Sequence, residues 1–233
     1  MRRGAAAALP VLLGTVPVGF ILGITASQVG LSPLGIGLMA GINFAGGSEF
    51  AALSLWSAVP PILVIFLTTW LVNSRHIMLG ATIIPYMKAM PGPKALSILY
   101  LMCDESWALA MSDIYERRKK GAPDEEALSA PFFFGEALSF WSTWWIAAAI
   151  GCAVSGLFGD LSEWGFRAAF PAMFLTLVAM MRPGRSRCLP AILSGVVSAV
   201  LSLAVSTPLA VMIGILAGVG SAWAMIRREA KCR

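Results

Sequence analysis

Apolar segments about 20 residues long follow one another along almost the whole chain, and short polar links separate them. Only 12% of the 233 residues are charged, whereas soluble domains carry about 25%. A soluble fold could not hide this much apolar surface, so much of it must face lipid. We predict a single integral membrane domain over residues 1–233, all-α, with about seven to eight transmembrane segments. They lie at residues 5–28, 34–58, 61–84, 95–113, 131–157, 166–182, 188–206 and 207–226.

Basic clusters test this topology. They are Arg2–Arg3, Arg117–Lys120, Arg182–Arg187 and Arg227–Arg233. With eight spans all of them fall on one face, which the positive-inside rule makes the cytoplasm. We therefore expect the bacterial inner membrane, both termini in the cytoplasm, and a cytoplasmic loop at residues 114–130. This topology leaves Lys88 and Lys94 on the outer face, against the rule.

Several function classes lack their signatures. The basic residues form short inter-helix runs without interleaved aromatics, which disfavours nucleic-acid binding. No phosphate-binding loop, His-x-x-x-His or Gly-x-Ser-x-Gly motif occurs, so we expect no enzyme and no cofactor. The cysteines have no Cys-x-x-Cys spacing, and His76 is the only histidine, so no metal site is expected. An ion gradient or the substrate's own gradient would have to drive any transport.

Polar residues interrupt the second segment. Gly46 and Gly47 each weaken a helix by about 1 kcal/mol, and Ser48 and Glu49 follow at once. We predict a helix broken near residues 45–49, because transporters present the ends of broken helices to substrates at mid-membrane. Asn43 and these four residues are the candidate substrate-binding set. The other reading is a short loop between interfacial pieces, with Glu49 in water.

The third segment carries a second polar group. Thr69, Asn73 and His76 lie at positions i, i+4 and i+7, so they share one face of a helix. Arg75 stays charged and must find water, a carboxylate or carbonyls. We predict a second break near residues 73–76, with Asn73 binding substrate and with Arg75 and His76 coupling an ion or proton.

Asp104 and Glu105 lie near the centre of the fourth segment, where a charge costs about 2.5–3.5 kcal/mol. Adjacent helical side chains diverge by about 100°, so we expect the two carboxylates to have different partners. One could pair with Arg75, and the other could carry a proton. An interfacial location is the alternative.

Other polar and aromatic groups have simpler interpretations. Glu136 lies near the start of the fifth span, so we expect it to reach the cytoplasmic interface and to be structural. For the tryptophans at 141, 144 and 145, packing against core or lipid is favoured over lining a cavity. Small-xxx-small pairs predict close helix packing at Gly19/Gly23, Gly37/Gly41 and Gly214/Gly218.

These stretches resemble the AzlC family, the large subunits of two-component branched-chain amino-acid exporters. The matching stretches are Gly14–Phe20, Phe44–Leu53, Leu67–His76 and Asp104–Leu109, with a weaker match at Phe170–Phe174. The resemblance implies export of neutral aliphatic amino acids, branched-chain ones or methionine, together with a small hydrophobic AzlD-type subunit. Glu49 and Arg167 depart from the family pattern, which commonly has Gln and Asp there.

Two other functions are compatible with the same residues. A passive channel for small solutes would use the polar segments as a pore lining. A scaffold subunit would use the buried charges only to specify helix pairing, without moving a solute.

Overall fold

The computed structural model describes residues 1–157, 188–205 and 207–231, and within these ranges the regular structure is helical, with no strand. This confirms the predicted all-α fold. The chain divides into two compact units, Met1–Val178 and Ala179–Arg233. The predicted segment 166–182, the cluster Arg182–Arg187 and Arg167 lie outside the described residues.

The described helices are numbered in chain order. They are α1 Arg2–Gln28, α2 Pro33–Asn43, α3 Gly46–Ser54, α4 Ile62–Asn73, α5 Arg75–Ile83, α6 Gly92–Tyr100, α7 Asp104–Lys119, α8 Ala130–Ala153, α9 Cys188–Leu201 and α10 Thr207–Lys231. Short 3₁₀ turns follow α5 at Ile84–Met87, precede α8 at Asp124–Glu126 and follow α8 at Ser155–Leu157.

Helices α1 and α8 pack backbone to backbone along the first unit. A Cβ on Gly4 would fall on the Phe132 carbonyl oxygen, and a Cβ on Gly151 would fall on the Phe20 carbonyl oxygen. Gly23 and Gly135 are equally tight against the facing helix. Small residues allow this approach in lipid, where dispersion contacts hold helices together. The pair α1–α8 is therefore the rigid frame of the unit.

The predicted small-residue pairs lie at helix contacts. Gly19 meets Trp144 and Ala147, and Gly23 meets Ala148, all on α8. The second pair, Gly37 and Gly41 on α2, also faces α8.

Contacts between the ends of α1, α7 and α8 define two ends of this unit. At the first, Arg3 pairs with Asp113, and Gly135 contacts the backbone of Met1. We call it the basic end, because Arg2, Arg3 and the basic run Arg117–Lys120 at the end of α7 lie there. At the other, the far end, Ser155 donates to Ser27 at 2.7 Å.

Helices α2 and α3 enter the unit from the far end and leave by it. The link before α2 lies beside the end of α8, where the Cys152 thiol is 3.3 Å from the Leu31 carbonyl oxygen. Ser32 caps α2 by accepting the Gly35 N–H at 3.0 Å. The chain turns at residues 44–45, and α3 packs against α4. Because α4 continues into α5, which runs to the basic end, α3 leads back to the far end.

Helices α6 and α7 run in the opposite sense to α2 and α3: they enter the unit from the basic end and return to it. Along the neighbouring helices α5 and α7, Arg75 pairs with Asp104 and the Trp107 indole donates to Thr82 at 2.9 Å. The two helices therefore run parallel, from the middle to the basic end. Helix α6 brings the chain in, and its Tyr100 hydroxyl donates to the Ile42 carbonyl at the end of α2, 3.1 Å away.

The link after α5 lies at the basic end, which corrects the predicted topology. Leu128 donates its backbone N–H to the Tyr86 carbonyl at 3.2 Å, beside the loop 114–130. Sequence reasoning placed Lys88 and Lys94 on the opposite face because it took segment 95–113 for one continuous span. That segment is broken at residues 101–103 and returns, so both lysines join the basic end.

Two stretches of the described residues are long and apolar enough to cross a membrane: Arg2–Gln28 and the continuous run Ile62–Met87. Helix α4, in the second of them, has no buried residue, and its Phe66 and Trp70 are 57% and 66% exposed. An apolar surface of this kind is covered by lipid or by another membrane subunit.

The second unit contains a helical hairpin. Gly214 and Gly218 of α10 contact Ser198 and Ser194 of α9, so the two helices run antiparallel in close contact. This confirms the predicted packing role of the third glycine pair.

Candidate functional site

Three helix interruptions meet at one cavity in the first unit. They separate α2 from α3, α4 from α5, and α6 from α7. The cavity holds about 480 Å³ of empty space, counting its open mouth. It is lined by Thr15, Phe44, Ala45, Gly46, Gly47, Arg75, His76, Cys103, Asp104, Glu105, Phe140 and Trp144.

The break between α2 and α3 confirms the first predicted interruption. Phe44 has φ 45° and ψ 49°, a left-handed conformation that ends α2. Helix α3 then starts at Gly46, so the backbone of Gly46 and Gly47 lines the cavity. The first-turn N–H groups of a helix have no intrahelical acceptor and carry partial positive charge. The cavity therefore has an anion-attracting wall.

Glu49 lies just behind this wall, wholly buried. Its carboxylate accepts the Ala45 N–H at 3.0 Å, the Asn43 amide at 3.3 Å and the Trp144 indole N–H at 2.8 Å. Hydrogen bonds to a buried carboxylate offset its desolvation. Glu49 thus clamps the start of α3 to α2 and α8.

Asn43 extends this network to the second interruption. Its amide donates to the Ser48 hydroxyl at 2.8 Å, and its carbonyl oxygen accepts the Asn73 amide at 3.3 Å. Ser48 in turn donates to the Ala45 carbonyl at 2.9 Å. The predicted binding residues Asn43, Ser48, Glu49 and Asn73 are therefore brought together, but they stand outside the cavity lining.

The second interruption is a single residue, Ser74, between α4 and α5. The first two side chains of α5 line the cavity there. Arg75 Nη1 lies 3.1 Å from Asp104 Oδ2, and these side chains are 29% and 21% exposed. The predicted pairing of Arg75 with one of the two carboxylates is confirmed. His76 lies beside Arg75, with Nδ1 3.2 Å from the Asn73 carbonyl oxygen.

The third interruption, at residues 101–103, was not predicted. Cys103 precedes α7, and its backbone N–H donates to the Ser106 hydroxyl at 2.9 Å. Asp104 and Glu105 therefore lie in a first helical turn, where the dipole favours anions. Asp104 meets Arg75, whereas Glu105 lines the cavity beside Cys103. The two carboxylates have different surroundings, as their helical spacing predicts.

Trp144 is a site residue that sequence reasoning assigned to packing. Its ring lies against Gly46, where an added Cβ would be 2.9 Å from Cζ2, and its N–H binds Glu49. Phe44 and Phe140 complete the aromatic part of the lining. A buried Glu49 needs hydrogen-bond donors, and a tryptophan indole N–H is one of the few donors that an apolar helix offers. That need was the signal that could have identified Trp144. Trp141 packs as predicted and donates to the Gly41 carbonyl at 2.8 Å.

The charges at the cavity are one guanidinium and two carboxylates. Around them stand aromatic rings and a helix N-terminus, so the lining offers an anion-binding side, a cation-binding side and an apolar wall. In the part of the chain that the structure describes, no three His, Cys, Asp or Glu side chains are grouped as metal ligands would be.

Glu136 corrects another expectation. It does not reach an interface, because its side chain is wholly buried, and neither carboxyl oxygen has a hydrogen-bond partner among the described residues. The start of α1 packs over this part of α8 and covers it.

Comparisons with known proteins place the chain in a family of membrane transport proteins. The family model described as AzlC protein matches residues 10–158. Inner membrane protein YgaZ of Escherichia coli is 26% identical over 221 residues, 93% of this chain and 86% of that protein. Branched-chain amino acid transport protein AzlC of Bacillus subtilis is 27% identical over 173 residues, 72% and 63% of the two chains. A membrane protein of Archaeoglobus fulgidus is 27% identical over 220 residues, 93% and 91%. No solved structure gives a significant match.

Proposed function

Because the chain belongs to the AzlC family of membrane transport proteins, we propose that it exports neutral aliphatic amino acids across the bacterial inner membrane. Leucine, valine and isoleucine are the expected substrates, with methionine as a further one. The relative named for branched-chain amino-acid transport supports this class. The observation that carries the proposal is the cavity at the meeting point of the three helix interruptions.

The lining suits the three parts of such a substrate. The carboxylate would bind the N–H groups at Gly46 and Gly47, where α3 begins, with Arg75 opposite. The ammonium would meet Glu105, since Asp104 is already paired with Arg75. An aliphatic side chain would lie against Phe44, Phe140 and Trp144, whose burial of its methyl groups contributes about 0.8 kcal/mol per CH₂.

The residues behind the wall have a positioning role in this proposal. Ser48 and Glu49 are engaged by Asn43, Ala45 and Trp144, so they hold the broken helix in shape. Asn73 donates a hydrogen bond to Asn43, so a change of the backbone at Ser74 would shift the hydrogen-bond network of Asn43, Ser48 and Glu49. A substrate contact with Glu49 would require that the network open first.

The two excursions toward the cavity offer a means of alternating access. Helices α2–α3 reach it from the far end and α6–α7 from the basic end, while α1 and α4–α5 flank them. Oppositely oriented broken elements around one site are a recurrent transporter design. We propose that movement of one pair opens the cavity to one side while the other pair closes it.

A small AzlD-type membrane subunit is the proposed partner. The apolar face of α4, a helix with no buried residue, would meet it or lipid. An ion gradient would supply the energy, with Arg75, His76, Asp104 and Glu105 as the coupling groups. The basic end would face the cytoplasm, together with both termini.

The direct test is efflux from cells loaded with dipeptides of leucine, valine, isoleucine or methionine. Cells that express this chain with its partner are expected to export the free amino acid faster than cells lacking the chain. Glu105→Gln should abolish the difference, whereas Glu116→Gln, an exposed acid on the same helix, should keep it. Equal efflux with and without the chain would reject the proposal, and it would favour a scaffold role.

A further inference from the structure

A second buried acid lies apart from the cavity. Glu136, on the second turn of α8, is 0% exposed, and both carboxyl oxygens lack a hydrogen-bond partner within the described part of the chain. An ionised carboxylate held in this way would lose its hydration, with no hydrogen bond or ion pair among the described residues to compensate. The side chain therefore either carries a proton or binds a cation.

The groups around Glu136 come from α1 and α7. Arg3 pairs with Asp113, and the next residue, Gly4, packs against the backbone N of Glu136, so both acids lie beside the start of α1. One Asp113 oxygen is taken by Arg3, and the other, Oδ2, is buried without a partner in the same described residues. The Met1 backbone closes the site over Gly135.

The other charges near this end are committed elsewhere or face solvent. Arg117 donates to the Glu126 carbonyl at 3.4 Å, and Glu116 pairs with Lys119 at 2.8 Å. Arg2 and Lys94 are exposed. Among the described residues no cation forms an ion pair with Glu136: Arg3 is bound to Asp113, and the other cations at this end include the Met1 α-amino group and Arg117, whose Nε is buried without a hydrogen-bond partner.

We propose that Glu136 is a proton-binding site that communicates with solvent at the basic end through Asp113. The proton leaves a carboxyl oxygen of Glu136, whose O–H bond breaks, and passes to a bridging water, which gives one of its own protons to Asp113. Asp113, which is bound to Arg3, then gives that proton to water at the basic end as its own O–H bond breaks. Nothing is oxidised or reduced, and one positive charge moves.

This site stands about 13 Å from the cavity along α7, because Asp104 and Asp113 are nine residues apart on one helix. One consequence of this proposal rests on the proposed function: α7 would couple release of the Glu136 proton to transport of the amino acid. Whether Glu136 holds a proton does not depend on the substrate.

Infrared spectroscopy of the purified protein tests the protonation itself. A carbonyl stretch of a protonated carboxylic acid is expected in the wild type and in Glu116→Gln, and part of it should be missing from Glu136→Gln. Glu136→Asp keeps a carboxyl and should move that component, which serves if Glu136→Gln does not fold. Identical spectra for the wild type and both Glu136 variants would overturn the proposal.

Reconstituted vesicles test the consequence. Glu136→Gln should retain exchange of internal for external leucine and lose uphill leucine transport driven by a pH gradient. Transport that needs Na⁺ at fixed pH and ignores the proton gradient would overturn the proton assignment. Wild-type vesicles that move no amino acid, while the infrared difference persists, would reject the proposed function and leave the site standing.

Discussion

The Arg75–Asp104 pair allows the sharpest test of how the cavity is held together. At 3.1 Å and an effective dielectric constant of about 20, the attraction is about 5 kcal/mol. Desolvation offsets much of it. Because the side chains are 29% and 21% exposed, the pair lies between surface pairs, worth about 0–1 kcal/mol, and buried ones, whose breaking costs about 3–5 kcal/mol.

We therefore expect Asp104→Asn or Arg75→Gln alone to destabilise the protein by about 3 kcal/mol, and the two together to show a coupling of about 2 kcal/mol. For a chain of this size, about 3 kcal/mol corresponds to a fall in Tm of roughly 6–12 °C. Thermal unfolding of the purified single and double variants in detergent measures both quantities.

Amino-acid flux into reconstituted vesicles measures the effect of the same variants on transport. The double variant should be destabilised by about 4 kcal/mol, less than the roughly 6 kcal/mol that simple addition of the single variants gives, and it should not transport, because the charges also serve the cavity. Losses that simply add would mean that this pair does not hold α5 to α7. Wild-type flux in the double variant would show that the charges do not take part in transport.

Three further outcomes follow from the packing. Gly46→Ala should abolish leucine binding measured with radiolabelled ligand, since its Cβ would press on Trp144 at 2.9 Å, whereas Gly14→Ala, with nothing within 4 Å, should bind normally. Trp144→Phe removes a donor to a buried carboxylate and should cost about 1.5–3 kcal/mol in thermal unfolding. Gly151→Ala should abolish monodisperse protein in size-exclusion chromatography, because its Cβ would overlap a backbone carbonyl of α1.

The residues that could be predicted were those whose chemistry conflicts with a continuous helix in lipid. Two adjacent glycines followed by Ser48 and Glu49 indicate the first break. Arg75, which needs water, a carboxylate or carbonyls, could pair with Asp104 or Glu105, and its partner is Asp104. In each case a local physical cost was visible in one short stretch of sequence.

The features that escaped prediction depend on which segments meet. The break before Asp104 has a cysteine cap and no glycine or proline, so segment 95–113 resembled a single span. The burial of Glu136 arises because α1 lies across Gly135, far away in the chain. The Trp144 indole donates a hydrogen bond to Glu49, which lies 95 residues away in the sequence, and the periodicity of the sequence cannot predict such a contact.

Binding of radiolabelled leucine to the purified protein is the most direct test of the cavity as the substrate site. The wild type and Glu116→Gln should bind leucine equally, and unlabelled isoleucine and valine should displace it. Glu105→Gln should fold normally and bind no leucine. Undiminished binding by Glu105→Gln would contradict the account, because the ammonium would then have its partner elsewhere.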